Sequence, residues 1–503
     1  MSTHHIGDST IEISSENQKK EENLGSGKTN SWTNIQKIAF RIGFIYLLVL
    51  CIPTYPRFYT HLFGLEFSKI TYHDFQSIVA FWPPQIITIE SEEGVFGILN
   101  YINLIIIFLV SIVAGLIWTF FDKKSTNYSK LYYWIRVLAR YRLAYGMVGW
   151  GLKKAFPMQM VYPTVGMLNT PFIDFAEKKL YWSHVGVSFE YTVFVGFAEI
   201  LPGLLLLHRK TAVLGAALAA VVTFNICIAN HAYDAGVAVP AAYFTVIGIF
   251  VAWYDLPKIW NLLVNEKDIA PYRYYPTFSE KWKENLRTGI KLTFNFLFVP
   301  VAAGLWAYGF FNGNNYNIPS TPGLSETKGY YDVTEFRLNN QTLPYSPEDS
   351  IRWQDATFEQ WSSLSYKTNR GAIADRMIGY SPLRVKKNNN TVLNQVNTQD
   401  SDRFAKLNKN RDLGVTRWEV GGMAGERRYF FYQADTSKNI LYLQNKNRYH
   451  KDETQTLHYS RPTKDRVVLS GTNEYRDSIY VVLDRNIKKY PLLEGKYSNV
   501  KEF

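Results

Sequence analysis

Up to about residue 311 the chain alternates long apolar runs with short basic ones, and beyond that point it changes to a finer alternation of one or two residues. A hydrocarbon core of roughly 30 Å asks for about 20 apolar residues of helix. Seven stretches meet that demand: 35–53, 94–121, 131–156, 187–207, 211–230, 237–254 and 289–311. Between the first two lies a loop, 57–94, with a Pro83-Pro84 break and room for a surface helix. Pro157 ends the third run, and Pro163 and Pro171 follow in an outer loop of about thirty residues. After residue 312 come TRWEV, RRYFFYQ, NILYLQN, QTLHYS, DRVVLSG and DSIYVVLDR, each bounded by turn residues. Their spacing of roughly ten residues predicts an antiparallel meander, either a small barrel or a sandwich.

The fold class expected is therefore an α-helical membrane bundle of about seven spans with a C-terminal all-β domain. Residues 1–34 are polar, without apolar periodicity, and read as a disordered tail. Residues 35–130 hold two spans and an outer loop, 131–260 a four-helix core, 261–311 a basic loop and the last span, and 312–503 the β domain. Lys123, Lys124, Lys130, Arg136 and Arg140 mark the loop after the second span as cytoplasmic, and His208-Arg209-Lys210 does the same after the fourth. That places the N-terminus in the cytoplasm, the bundle in the cytoplasmic membrane, and the β domain outside. An uncleaved first span is expected, with cleavage as the alternative.

Charge and cysteine usage narrow the function classes. A net charge of +12 over 503 residues could point to nucleic acid, but much of it sits in loops flanking apolar runs. The positive-inside rule accounts for it, and no nucleic-acid partner is expected. Cys51 and Cys227 each lie alone in an apolar run, so they read as buried hydrophobes. No Cys/His cluster has metal-ligand spacing, and no metal site is expected.

The third run is mostly apolar, yet it carries Arg142 and Lys153 eleven residues apart, about 16 Å of helix rise. Both cannot sit at opposite membrane surfaces, so one is strained inward, where an ionisable group is costly. Arg142, Tyr145, Gly149 and Lys153 share a helix face directed into the bundle. Glu199, about 12 Å inside the fourth run, comes to the depth of Arg142, and the two are expected to pair. At the outer helix ends, Lys153, His184, Glu190, His231 and Asp234 gather titratable groups of both signs, as a proton-handling or headgroup site would need. Tyr145, Lys153 and Asn225 are the candidate cofactor-binding residues; Asn225 alternatively bonds a neighbouring helix. Trp353 and Trp361 read as core aromatics, and NKNRDLGVTR and Arg427-Arg428 as solvated loop or strand-edge charge.

The stretches RYRLAYGMVGWGLKKAFPMQ, WSHVGVSFEYTVFVGFAEILPGLLLLHRKTAVLGA and NICIANHAYDAG resemble the DoxX-like membrane family, in its larger, multi-span, Bacteroidetes-type members. The resemblance covers about a quarter of the chain, with one departure: the lysine those relatives carry shortly after Tyr-Asp is missing from Gly236–Pro240. It implies a four-helix core and a link to quinone-dependent redox chemistry, with a quinone as cofactor. The expectation is thus a quinone- or lipid-interacting component of a redox process, an oxidoreductase component in the lipid bilayer. In it Arg142 and Glu199 would organise the bundle, while Lys153, His184 and His231 bind or protonate an anionic head. The alternative is a non-catalytic envelope assembly protein that docks a partner through its outer β domain. Transport has less support, because neither an inverted repeat nor a pair of broken helices is evident.

Overall fold

The structure is a computed structural model that describes residues 32–84, 86–87, 98–233, 235–267, 278, 280–313, 315, 317–319, 321–369, 419, 427–446 and 453–491. Its helices are α1 (Asn34–Cys51), α2 (Pro56–Phe63), α3 (Tyr72–Val79), α4 (Ile102–Phe121), α5 (Ser129–Ala155), α6 (Val165–Leu168), α7 (Glu177–Gly186), α8 (Phe189–Leu207), α9 (Ala212–Ala232), α10 (Ala238–Trp253), α11 (Leu256–Leu263), α12 (Lys281–Phe296) and α13 (Ala302–Phe311). The strands are β1 (Gly329–Leu338), β2 (Gln341–Thr342), β3 (Asp355–Phe358), β4 (Ser363–Lys367), β5 (Arg427–Asp435), β6 (Ile440–Asn445), β7 (Thr454–Thr463), β8 (Arg466–Thr472) and β9 (Ser478–Arg485). The expected tail lies almost wholly outside the described residues.

The protein is a multi-pass membrane protein. Among the described residues five helices are long and apolar enough to cross a membrane: α1, α4, α8, α9 and the rod Lys281–Phe311 made by α12 and α13. A sixth is counted if α10 and α11, bent by 63°, form one span. The seventh expected span, α5, has 27 residues but also six basic side chains. Its polarity is turned inward: α5 is the axis of the bundle, and Arg142, Lys154 and ten of its apolar and small residues are buried.

Small residues let the helices approach as lipid-embedded bundles require. A Cβ on Gly196 of α8 would stand 2.3 Å from the Ala155 nitrogen, and one on Gly151 of α5 would stand 2.7 Å from the Gly196 carbonyl. The expected surface helix in the 57–94 loop is instead drawn into the bundle. Tyr72, Phe75 and Val79 of α3 are buried, and Val79 fills the notch left by Gly149. An amphipathic eight-residue helix with three large apolar side chains gains more from packing against that notch than from lying in the headgroups.

The β domain is a closed barrel. Strands β1 and β3 to β9 pair antiparallel in chain order, and β1 closes on β9 from Tyr331↔Arg485 to Leu338↔Ile479, with β2 a hairpin extension of β1. Closure removes the sheet edges and decides for a barrel over a sandwich. Its interior is filled by side chains such as Phe336, Phe358, Phe430 and Leu469, with Trp353 stacked on Tyr366 at 3.8 Å. Trp353 is thus core, as expected, whereas Trp361 is half-buried and donates its indole N–H to Glu419 at 2.7 Å. Of TRWEV only Glu419 is described, and NKNRDLGVTR lies outside the described residues. Arg427 and Arg428 are not solvated charge. Arg427 is buried 2.6 Å from Asp355, and Arg428 bridges Glu453 and Glu474.

A polar seam docks the barrel on the bundle. The buried Glu359 carboxylate accepts the N–H groups of Val165 (3.0 Å) and Gly166 (2.8 Å) in α6. Gly166 is needed there, because a Cβ would meet the Tyr429 hydroxyl at 2.8 Å. Asn169 bonds Tyr490, and Asn317 donates to the Met158 carbonyl at 2.6 Å. Glu419 is neutralised by Lys446, both wholly buried.

Candidate functional site

Arg142 is buried at the centre of the bundle, and its partners are neutral. Its Nη1 and Nη2 donate to the carbonyls of Val79 (2.7 Å) and Phe81 (2.8 Å), and its Nε donates to the Tyr243 hydroxyl (3.0 Å). The guanidinium also lies 3.7 Å from the centre of the Phe81 ring. The chain end of α3 thereby folds over the cation, and the Tyr243 hydroxyl in turn donates a hydrogen bond to the Leu50 carbonyl at 2.5 Å. The expected Arg142–Glu199 pair is not formed. Glu199 bonds Lys154 at 2.9 Å, with both side chains almost wholly buried. Glu199 therefore stands at the level of Lys154, about 18 Å of helix rise along α5 from Arg142, so the shared depth expected of Glu199 and Arg142 is not found.

The outer-end cluster does not assemble. His184 and Glu190 are exposed, the latter bonded to Ser188 at 3.3 Å. His231 bonds the Tyr101 hydroxyl at 2.6 Å. The Lys153 ammonium lies 5.2 Å over Trp150. Asn225 is exposed on α9. Asp234 lies outside the described residues. Of the candidate cofactor-binding residues, Tyr145 alone lines the cavity described next.

That cavity is a cleft of about 1730 Å³ along α5, bounded by α12 on the far side and by α3 at depth. It is larger than the usual 300–1,000 Å³ of small-molecule sites. Two faces form it. Along α12, Lys283, Arg287, Lys291 and Phe294, with Phe298 just past its end, lie on one stripe, cations first and aromatics after. On α5, Arg140 and Tyr141 precede Arg142 and Tyr145. Tyr145 closes the deep end by donating to Asn295 at 2.9 Å and stacking 4.9 Å from Phe298. Arg209, in the turn between α8 and α9, stands at the mouth. Among the described residues that line it there is no Asp or Glu. Neither α12 nor this cleft was expected as a site. The signal was present in KWKENLRTGIKLTFNFLF, where Lys283, Arg287 and Lys291 at spacing four run into Phe294 and Phe298 at the same spacing.

Among the described residues no group of three or more His, Cys, Asp or Glu could hold a metal ion. No protein-family profile matches the chain, and no solved structure matches it. The uncharacterized protein YwoB of Bacillus subtilis (strain 168) is 34% identical over 100 residues. Those residues are 19% of this chain, and they span 65% of that relative's length.

Proposed function

We propose that this is a DoxX-like membrane protein that takes an amphiphile from the bilayer into the cleft between α5 and α12. The observation that carries the reading is the cleft's polarity: a cationic mouth, an aromatic depth and, among the described lining residues, no carboxylate. An amphiphile places its chain on the aromatic rings and its head at the mouth, and both gains come from surfaces the bundle leaves uncovered. The barrel, whose interior its own side chains fill, serves as a cap fixed to the opposite end of the bundle. On the charge pattern, the mouth faces the cytoplasm and the barrel lies outside. Of the two ligand classes expected from the sequence, a quinone and a lipid, the cationic lining favours a lipid with an anionic head.

The test is mass spectrometry of the organic extract from protein purified in mild detergent, beside a cleft-filling Val137→Trp/Thr288→Trp variant. One amphiphile retained near stoichiometrically by the wild type, and lost by the variant, is the expected result. Bulk phospholipid alone in both samples would overturn the reading.

A further inference from the structure

We propose that α11 lies in the plane of the membrane, with its apolar face covered by the glycerol and upper acyl layer of the phospholipids around it. The inference goes beyond the cleft and does not depend on what the cleft takes. Helix α11, LPKIWNLL, starts behind Asp255 with Pro257 in its first turn, where a missing N–H leaves no helical bond unmade. At about 100° per residue, Leu256, Ile259, Trp260 and Leu263 fall on one face, and Lys258 and Asn261 on the other. The polar face is tied to the bundle. Lys258 bonds Asp255 at 3.2 Å, and Asp255 bonds Arg136 of α5 at 2.6 Å. The apolar face looks away from it, with Trp260 61% exposed and Leu263 72%. Together with Trp253 these side chains border a groove of about 370 Å³, whose described lining residues are all apolar. A surface helix that meets water is built the other way round, apolar side in.

Angle and level name the occupant. Helix α11 is bent by 63° from α10. Its eight residues, about 12 Å of rise, therefore advance only about 5 Å along the α10 axis. Where α10 crosses a bilayer, α11 runs nearer to the membrane plane than to its normal. Charged groups bracket it: Arg136, Asp255 and Lys258 at its start, and the exposed Glu266 and Lys267 beyond its end. Neither end belongs in hydrocarbon, where such groups are costly. The apolar face is continuous with the outward side of α10, where Val246, Ile249 and Trp253 are exposed. Trp253 and Trp260 flank the bend, and indoles favour the headgroup level. Water would leave this face bare, whereas one lipid layer covers α10 and α11 without a break. On the charge pattern that layer belongs to the cytoplasmic leaflet.

The experiment is spin-label depth measurement on the full chain in nanodiscs of phosphatidylcholine and phosphatidylglycerol. Cys51 and Cys227 are buried, so the label goes to an introduced cysteine. Trp260→Cys and Leu263→Cys carry it in turn, with Lys267→Cys as the aqueous reference and Phe197→Cys in α8 as the deep one. All four positions are exposed, so the variants keep the wild-type melting temperature. Relative access of oxygen and a nickel chelate gives the depth. Labels at 260 and 263 are expected about 5–10 Å below the phosphates, shallower than the label at 197 and out of the water that surrounds the label at 267. A depth equal to that at 197 makes α11 part of the span and overturns the proposal. Chelate access equal to that at 267 puts the face in water and overturns it too. Protection from both reagents means a protein cover, a second copy or residues 268–277, and overturns the lipid occupant.

Discussion

Lys154 and Glu199 form the ion pair that sets the register of α5 against α8. Desolvation cancels much of such a pair's attraction, so its net worth is small, but a half-pair is costly. Lys154→Ala should lower stability in detergent by about 3–5 kcal/mol, while Lys154→Met with Glu199→Leu should stay near wild type. Thermal unfolding of the two variants checks this, and an equal loss in both would remove the pair's supposed neutrality. Arg142 behaves differently, since neutral carbonyls and a tyrosine hold it. Arg142→Met would leave the Val79 and Phe81 carbonyls without their donors, and the chain end of α3 should loosen from α5. Amide exchange over residues 72–82 is the readout, with faster exchange expected there than in α8. Spacing along the sequence showed that Arg142 is buried and costly, but not what it binds. Its acceptors are main-chain atoms of a loop some sixty residues away, and any residue type provides a carbonyl.

At the scale of elements, glycine positions separate packed helix faces from the open one. Gly151 and Gly196 occupy the contact between α5 and α8, where an added Cβ would meet backbone atoms at 2.3–2.9 Å. Gly289 of α12 has nothing within 4 Å of the same point. Gly196→Val should therefore abolish the monodisperse folded species, because two backbones must part to admit the side chain. Gly289→Ala should be neutral or raise the melting temperature slightly, since it replaces a poor helix former by a good one for about 0.5–1 kcal/mol. Size-exclusion profiles of detergent extracts distinguish the two. The contrast also explains why α12 borders a cleft. Its residues are exposed or half-exposed, and it joins the bundle through Tyr145–Asn295 and the π-helical turn around Pro300.

At the scale of the whole molecule, the seam between barrel and bundle carries two buried groups held away from their ordinary ionisation. Burial, and next the charge of Glu419, pushes Glu359 from 4.5 up to about 7. Burial likewise brings Lys179, in α7, from 10.5 down to about 7. For Glu359 the folded state binds more protons than the unfolded one between pH 4.5 and 7, so stability falls as pH rises through that window. For Lys179 the folded state binds fewer protons between pH 7 and 10.5, so stability rises through the second window. The two slopes meet in a minimum near pH 7. Melting temperature against pH should trace that trough, and Glu359→Gln should flatten its acid limb, even though the amide loses one of the two α6 contacts. A wild-type curve that rises steadily from pH 5 to 7 would contradict the assignment.

The sequence by itself determined five of the seven expected spans, their order and the β character of the last third. Those follow from apolar run length and two-residue alternation, which are properties of local stretches. It also determined that ionisable groups had to be buried, because RYRLAYGMVGWGLKK is too short between its charges. Tertiary structure alone decided where each buried charge is satisfied, because the level at which α8 meets α5 sets Glu199 beside Lys154 and not beside Arg142, and no local pattern fixes that level. It alone drew α3 under the bundle, since the notch it fills exists only once Gly149 is set beside Val79. It alone closed the barrel, because pairing β1 with β9 joins residues about 150 positions apart. It alone set Arg140, Arg209, Arg287 and Lys291 around one cleft, since each is an ordinary flanking cation in its own segment.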